Sequence, residues 1–545
     1  MLFASRMRIL VLFAITTFSV VVRSQAGNDS VAPLSIPPST YWDGADGRWS
    51  TFHVEVGGQT VRLLPSTSAS AGSSTWVVID EGCTVANPNL TDCNNERGYL
   101  FHRNESTSWS TRRLSGEGLY SLNTFVEGYL GLTGNAYYGF DTINLGLTGS
   151  GLPTVQGQVI AGFGTNDFWL GNLGLSPYPF DFTDLDDPQP SLLSTLQNQS
   201  LIPSLSWAYT AGAQYKTPPV LGSLTLGGYD TTRFTPNNVS FPFGADFSRD
   251  LLVKLRSISY DTFGSPPLLA SEIDIFLDSA VTQMWLPVGV CQQFEKAFNL
   301  TWNATAELYL LDEDTHSALL SRNPTFTFTI ANGSNSADST VDIVFPYSAF
   351  DLNITQPYVN TETRYFPLKQ AQNSSQSALG RVFLQEAYLV ADYGHRNFSV
   401  SQALFPQTNI EQNIVAIHTP GYKTEDDRPD GLSGGAIAGI VVAAVVVLFS
   451  IIAATIWFKR RSNRNVKIST EQTQHDTDEK DNAATQAISE LDHGDTAVQE
   501  VDGWHGYKPE LEVNDGSSGR HELPTPLKVH EVAGHLPIEL EAPLR

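Results

Sequence analysis

Residues 434–458 form a run of 25 residues without one Asp, Glu, Lys or Arg, and Lys459, Arg460, Arg461 and Arg464 follow at once. At about 1.5 Å per residue a helix of that length crosses a hydrocarbon core of about 30 Å with some tilt. The basic cluster belongs on the cytosolic side, which puts everything before the run in the lumenal or extracellular space. A buried core helix is the competing reading, but the run is long for one and shows no amphipathic pattern. At the other end, Arg6 and Arg8 precede an uncharged stretch over residues 9–22, then Arg23, Ser24, Gln25 and Ala26. This is the layout of a secretory signal cut after Ala26, since the stretch is too short to span a bilayer. The expected organisation is a signal peptide (1–26), an ectodomain (27–418), a juxtamembrane linker (419–433), a transmembrane helix (434–458) and a disordered cytosolic tail (459–545).

Glycosylation sequons agree with this topology, because Asn-X-Ser/Thr is modified only on the lumenal side. Eleven occur, at Asn28, Asn89, Asn104, Asn198, Asn238, Asn299, Asn303, Asn332, Asn353, Asn373 and Asn397, and all precede the apolar run. In an oxidising compartment Cys83 and Cys93 are close enough in sequence to bridge a loop, whereas Cys291 is either a buried thiol or a site of intermolecular pairing. With three cysteines the fold must be stabilised by its own burial. The formal net charge of −25 arises from a shortage of Lys and Arg and argues against a nucleic-acid partner.

The ectodomain reads as β structure. Phe52, Val54 and Val56 alternate on one face, Gly57 and Gly58 supply a two-residue hairpin turn, and Val61, Leu63 and Leu64 continue. Short strands separated by Gly, Asn and Pro turns run on to about residue 415. The best helical stretch is 290–300, where Cys291, Phe294, Ala297 and Phe298 share a face. There is also an internal repeat: Leu63, Leu64, Pro65, Ser66, Thr67 leading to Trp76 and Val77 parallels Ile275, Phe276, Leu277, Asp278, Ser279 leading to Trp285 and Leu286. Two related lobes are implied, at about 49–225 and 226–418.

Those residues resemble the pepsin-type aspartic peptidases over roughly residues 49–405. The second active loop matches in Phe276, Leu277, Asp278, Ser279, Ala280, Val281 and Thr282. Tyr138, Gly139, Phe140, Asp141 and Thr142 resemble the strand after the flap, Leu224, Thr225, Leu226, Gly227, Gly228, Tyr229 and Asp230 the lobe-crossing strand, and residues 379–392 the last strands. The resemblance implies an all-β, bilobal acid-protease fold in which Cys83 and Cys93 form the first small disulfide. It also implies a flap tyrosine at Tyr129 and substrate contacts from Tyr129, Ser279 and Thr282.

Peptide hydrolysis in this family needs two carboxylates sharing one proton, one activating a water and the other acting as acid. Asp278 supplies one. No acid occurs between Glu55 and Asp80: Ser66 aligns with the missing Asp because Thr67 follows it, with Ser73 and Ser74 as rival alignments. Asp80 lies beyond the next strand, at its far end. A hydroxyl is no general base at acid pH, so losing one acid should remove at least about 10²- to 10⁴-fold in rate. Ala280 stands where the family has glycine. Only 25 residues (27–51), with Asp29, Asp43, Asp46 and Arg48 as their charges, separate the signal from the first expected strand, too few for a basic propeptide.

The expectation is therefore a type I, single-pass membrane glycoprotein of the secretory pathway or plasma membrane. Its peptidase-like ectodomain is expected to be catalytically impaired and to bind a peptide or surface ligand in the cleft. The alternatives are an active membrane-anchored acid endopeptidase using Asp278 and an unrecognised second acid, and a structural surface glycoprotein. No metal-ligand spacing, phosphate loop or cofactor motif stands out. The tail, with 17 acidic and 10 basic side chains, cannot fold alone. Residues 507–511 or 523–540 could engage a cytosolic adaptor, and Thr470 and Thr477 could accept phosphate.

Overall fold

The computed structural model describes residues 31–465 apart from 87–89, 91, 112–113, 183–185, 262–265, 334–339, 407–409 and 423–433. The proposed signal peptide, Asn28, Asn89 and the tail motifs lie outside the described residues. The chain divides into two units, 1–431 and 432–545.

The first unit is built on three large sheets. In the N-terminal lobe, Trp49–Val56 and Gln59–Ser66 form the expected hairpin, with Val54 opposite Val61. Both turn glycines have positive φ, 56° and 81°, the conformation that a two-residue turn between right-twisted strands demands. Asn135–Asn144 and Thr154–Phe163 extend this sheet. In the C-terminal lobe a seven-stranded sheet is centred on Leu252–Tyr260 and Ile273–Leu277. The third sheet draws strands from both ends of the unit: Leu34–Ile36, Val220–Leu226, Ser206–Ala213, Ala387–Asp392, Asn397–Gln402 and Phe241–Pro242.

The repeat seen in sequence is a repeat of topology. Gln59–Ser66 pairs in parallel with Gly171–Gly174 and runs into a loop that returns as Thr75–Val78. Ile273–Leu277 pairs in parallel with Ala378–Leu379 and runs into a loop that returns as Met284–Pro287. Each lobe thus aims one loop at the other.

Two sequence expectations are corrected. Strand structure starts before Trp49: Leu34–Ile36 pairs with Val220–Leu226, and Pro38–Asp43 with Trp49–Val56. Pro33, Pro37 and Pro38 mask these strands in the sequence, being tolerated because both are edge strands. The helix expected at 290–300 is Val288–Phe298, ended by Asn299 in the left-handed conformation (φ 56°). It buries Val290, Cys291, Phe294 and Phe298; Phe294 meets Phe326 and Phe366, and Phe298 meets Phe326.

Cys83 and Cys93 are joined in a disulfide, Cα to Cα 5.7 Å. Cys291 is fully buried and donates to the carbonyls of Leu286 and Lys369, and burial pushes its thiol up to about 12, so it is an inert core group. None of the nine described sequon asparagines is buried.

The second unit contains the helix Gly434–Asn465. Its side chains are described for residues 446–461 and are exposed, including Val446, Phe449, Ile451 and Trp457. Among the described residues no helix is long and apolar enough to cross a membrane.

Candidate active site

The two loops meet through reciprocal hydrogen bonds. Thr67 N–H donates to Ser279 Oγ at 2.9 Å, Ser279 N–H donates to Thr67 Oγ1 at 3.0 Å, and Ser279 Oγ–H donates to the Pro65 carbonyl at 2.6 Å. All of these groups are buried, so each bond removes a donor or acceptor that would otherwise carry a desolvation penalty. Because Thr67 opposes Ser279, Ser66 opposes Asp278. Ser73 and Ser74 lie further along, Ser73 donating to the Ser70 carbonyl and Ser74 accepting from the Trp76 indole. Ser279 spends its hydroxyl on this junction. Thr282 Oγ1 accepts from Arg381, and Thr282 lines the cavity beside this loop.

Asp278 is wholly buried. Its Oδ1 accepts from Ala280 N–H at 2.8 Å, while Oδ2 makes no hydrogen bond. Burial first, and then a second carboxyl at Glu127, raise its pKa well above the carboxylate range. Arg381 opposes the rise weakly, since its guanidinium is engaged by the Ser279 carbonyl at 2.7 Å, the Ala280 carbonyl at 3.2 Å and Thr282, and lies 3.8 Å from Asp46.

Glu127 was not anticipated. It sits on the hairpin formed by Leu119–Ser121 and Asn135–Asn144, whose tip carries one 3-10 turn, Glu127–Leu130. The tip folds inward onto the first loop. Glu127 is wholly buried, its Oε2 accepts from Ser70 Oγ at 2.9 Å, Ser68 Oγ lies 3.0 Å from that of Ser70, and Oε1 makes no hydrogen bond. Burial raises its pKa as well, against the Ser68 and Ser70 hydroxyls. The sequence held a signal: Glu127 is the sole acid between Glu117 and Asp141, two residues from Tyr129.

The tip is clamped across the cleft. Leu130 packs with Val281, Trp285, Ala371 and Ala378, and Gln376 Nε2 donates to the Tyr129 carbonyl at 2.7 Å. The Tyr129 ring is 42% exposed, packs edge-on to Phe125 and lies under Arg249. Beside the second loop a cavity of about 110 Å³ is lined by Ala280, Thr282, Trp285, Lys369, Arg381 and Leu132 among others. Among the described residues no cluster of His, Cys, Asp and Glu could hold a metal ion.

Two β lobes joined by reciprocally bonded loops, one of which presents a buried acid, define the aspartic-peptidase type of fold. A model of the eukaryotic aspartyl protease family matches residues 69–403, more than half of the chain, and the chain belongs to that family. It is 24% identical over 322 residues to Secreted aspartic protease 3 of Candida albicans, covering 58% of this chain and 71% of that protein. To the probable aspartic-type endopeptidase opsB of Aspergillus fumigatus it is 22% identical over 382 residues, covering 66% and 71%. The crystal structure of aspartic proteinase from Irpex lacteus superimposes with a TM-score of 0.45 at 17% identity, covering 69% of this chain and 98% of that one.

Proposed function

We propose that the protein is an aspartic-type endopeptidase of the secretory pathway or cell surface, held to the membrane by the helix that begins at Gly434. The observation that carries the hydrolytic reading is Asp278. It is delivered by the cross-lobe junction to the end of the cleft, fixed through one oxygen by Ala280 N–H, left free at the other, and kept protonated above the usual carboxylate range. A buried acid of this kind hydrogen-bonds a substrate carbonyl and protonates it as water adds. The cavity beside Ala280 and Thr282 has room for a substrate side chain.

Anchoring is supported by the uncharged run, the basic cluster after it and the exposure of its described apolar side chains. Passage through the secretory pathway is supported by the disulfide, by the surface placement of the described sequons and by a relative named as secreted.

A second reading, a peptide-binding domain without hydrolysis, is favoured by Ser66 in place of an acid and by the burial of Asp278 beneath the clamped tip. Full-length protein in detergent, incubated with a diverse peptide mixture at about pH 3–6, separates the two. Cleavage that disappears in Asp278→Asn supports the endopeptidase, and tight peptide binding without cleavage supports the second reading.

A further inference from the structure

We propose that Glu127 is the second catalytic acid of this centre, carried to Asp278 by the hairpin tip instead of by the first-lobe loop. The proposal rests on the endopeptidase reading above and names the group that reading lacks.

Ser66 occupies the backbone position opposite Asp278 but ends in a hydroxyl. The Glu127 carboxyl reaches the same loop from the tip and is seated there by the Ser70 hydroxyl at 2.9 Å. Three wholly buried oxygens of this one site make no hydrogen bond: Ser66 Oγ, Asp278 Oδ2 and Glu127 Oε1. Buried polar atoms are ordinarily satisfied, so three together mark a place where another polar group is handled. Among the described residues, neither carboxyl is in an ion pair: Arg381 donates to the Ser279 and Ala280 carbonyls and to Thr282 and lies 3.8 Å from Asp46, while its Nε makes no hydrogen bond. Glu127 adds to the burial that raises Asp278, so the two resist ionising together and the pair retains at least one proton; its singly protonated form is the one that acts.

That is the state hydrolysis requires. The ionised carboxyl takes a proton from water as the water oxygen bonds to the peptide carbonyl carbon. The protonated carboxyl gives its proton to the carbonyl oxygen, leaving a gem-diol. A diol proton then returns to one carboxylate, the other carboxyl protonates the amide nitrogen, and the C–N bond breaks. Peptide and water become an acid and an amine, and the pair regains its single proton.

Placing one acid on the tip has a consequence. Substrate reaches Asp278 only with the tip lifted, and the pair is complete only once the tip has returned over it, so closure assembles the centre.

The test is peptide cleavage by full-length protein in detergent at acid pH, with mass-spectrometric readout, for the native chain, E127Q, E127D and D278N. Gln is nearly isosteric with Glu, and a melting temperature close to the native one certifies folding. E127Q and D278N should each lose at least about 10²-fold in kcat/KM, with E127D intermediate. If folded E127Q cleaves at the native rate while D278N does not, the assignment of Glu127 is overturned and hydrolysis through Asp278 stands. If the native chain cleaves nothing, both fail. If E127Q does not fold, the assignment is carried by E127D: a native rate there overturns it, and a loss supports it.

Discussion

Asp250 offers a direct measurement of how this fold treats buried acids. It follows the 3-10 turn Phe247–Arg249, is 1% exposed, and neither carboxyl oxygen makes a hydrogen bond of normal geometry. The Tyr393 hydroxyl and the Leu251 N–H are near enough to favour ionisation somewhat, but burial dominates and raises the pKa from 3.8 to about 7. The sign follows from linkage. The folded chain keeps a proton that the unfolded chain releases, so this contribution is intact below about pH 4, erodes between about pH 4 and 7, and is gone above. A rise of that size, at about 1.4 kcal/mol per unit, corresponds to about 4 kcal/mol. Asp250→Asn keeps the shape and removes the ionisation. The variant should match the native chain at about pH 4 and exceed it at about pH 8 by up to about 4 kcal/mol, read as several degrees in melting temperature by tryptophan fluorescence. An equal loss at both pH values would refute the reasoning, because it would mean that the native carboxylate is ionised and held by bonds that Asn cannot replace.

Other perturbations probe the junction and its supports. Thr67→Val removes the acceptor of the buried Ser279 N–H and should cost about 1–3 kcal/mol in unfolding free energy, with a fall in kcat/KM as Ser66 and Asp278 lose their register. Replacing Cys83 and Cys93 by Ala opens a loop with a sequence separation of 10 and should cost about 2–3 kcal/mol in thermal unfolding against the oxidised native chain, a difference that should vanish once the native chain is reduced. Gly380→Ala would set a Cβ 2.5 Å from the backbone oxygens of Thr282 and Gln283, so the second loop must shift. A stability loss of about 1–3 kcal/mol and a lower kcat are expected, and an unchanged variant would mean that the loop yields freely.

What could be read from the sequence was whatever local physics controls. The Gly57, Gly58 turn declares itself because only glycine takes positive φ there without strain, and the alternation around it assigns the buried face. The Ser66, Thr67 and Asp278, Ser279 pairing could be read because both lobes use the same strand–loop–strand unit. Leu34–Asp43 could not, since Pro33, Pro37 and Pro38 interrupt the pattern and the partner of Leu34–Ile36 lies far away in sequence, at Val220–Leu226. Glu127 escaped for a related reason. A lone acid in an apolar stretch reads as a solvated turn, and only the inward fold of the tip, set by the contacts of Leu130 with the other lobe, turns its side chain onto the first loop. Tyr129 shows the converse, since its place in the hairpin was found by counting while the direction of its ring depends on Phe125 and Arg249.

The buried acids also account for the chain's charge. Glu386 is 3% exposed, bonded through Oε2 to Gln402 at 3.0 Å with Oε1 unpartnered, and burial raises its pKa to about 8. With Asp250, Asp278 and Glu127 this makes four interior carboxyls whose pKa values all move upward, and in each the largest cause is desolvation. A raised carboxyl stabilises the fold only while it is protonated, so each of the four loses its contribution as pH rises through its raised pKa, about 7 for Asp250 and about 8 for Glu386. The surface works in the same direction. Of the net −25, the 40 acidic and 22 basic residues before Lys459 contribute −18, and partial protonation relieves their repulsion only in acid. Interior and surface therefore favour acid independently, the first through desolvation and the second through long-range charge. Only the second is screened by salt. A stability maximum on the acid side that persists at high ionic strength would consequently report the interior carboxyls, and the part that salt removes would report the surface.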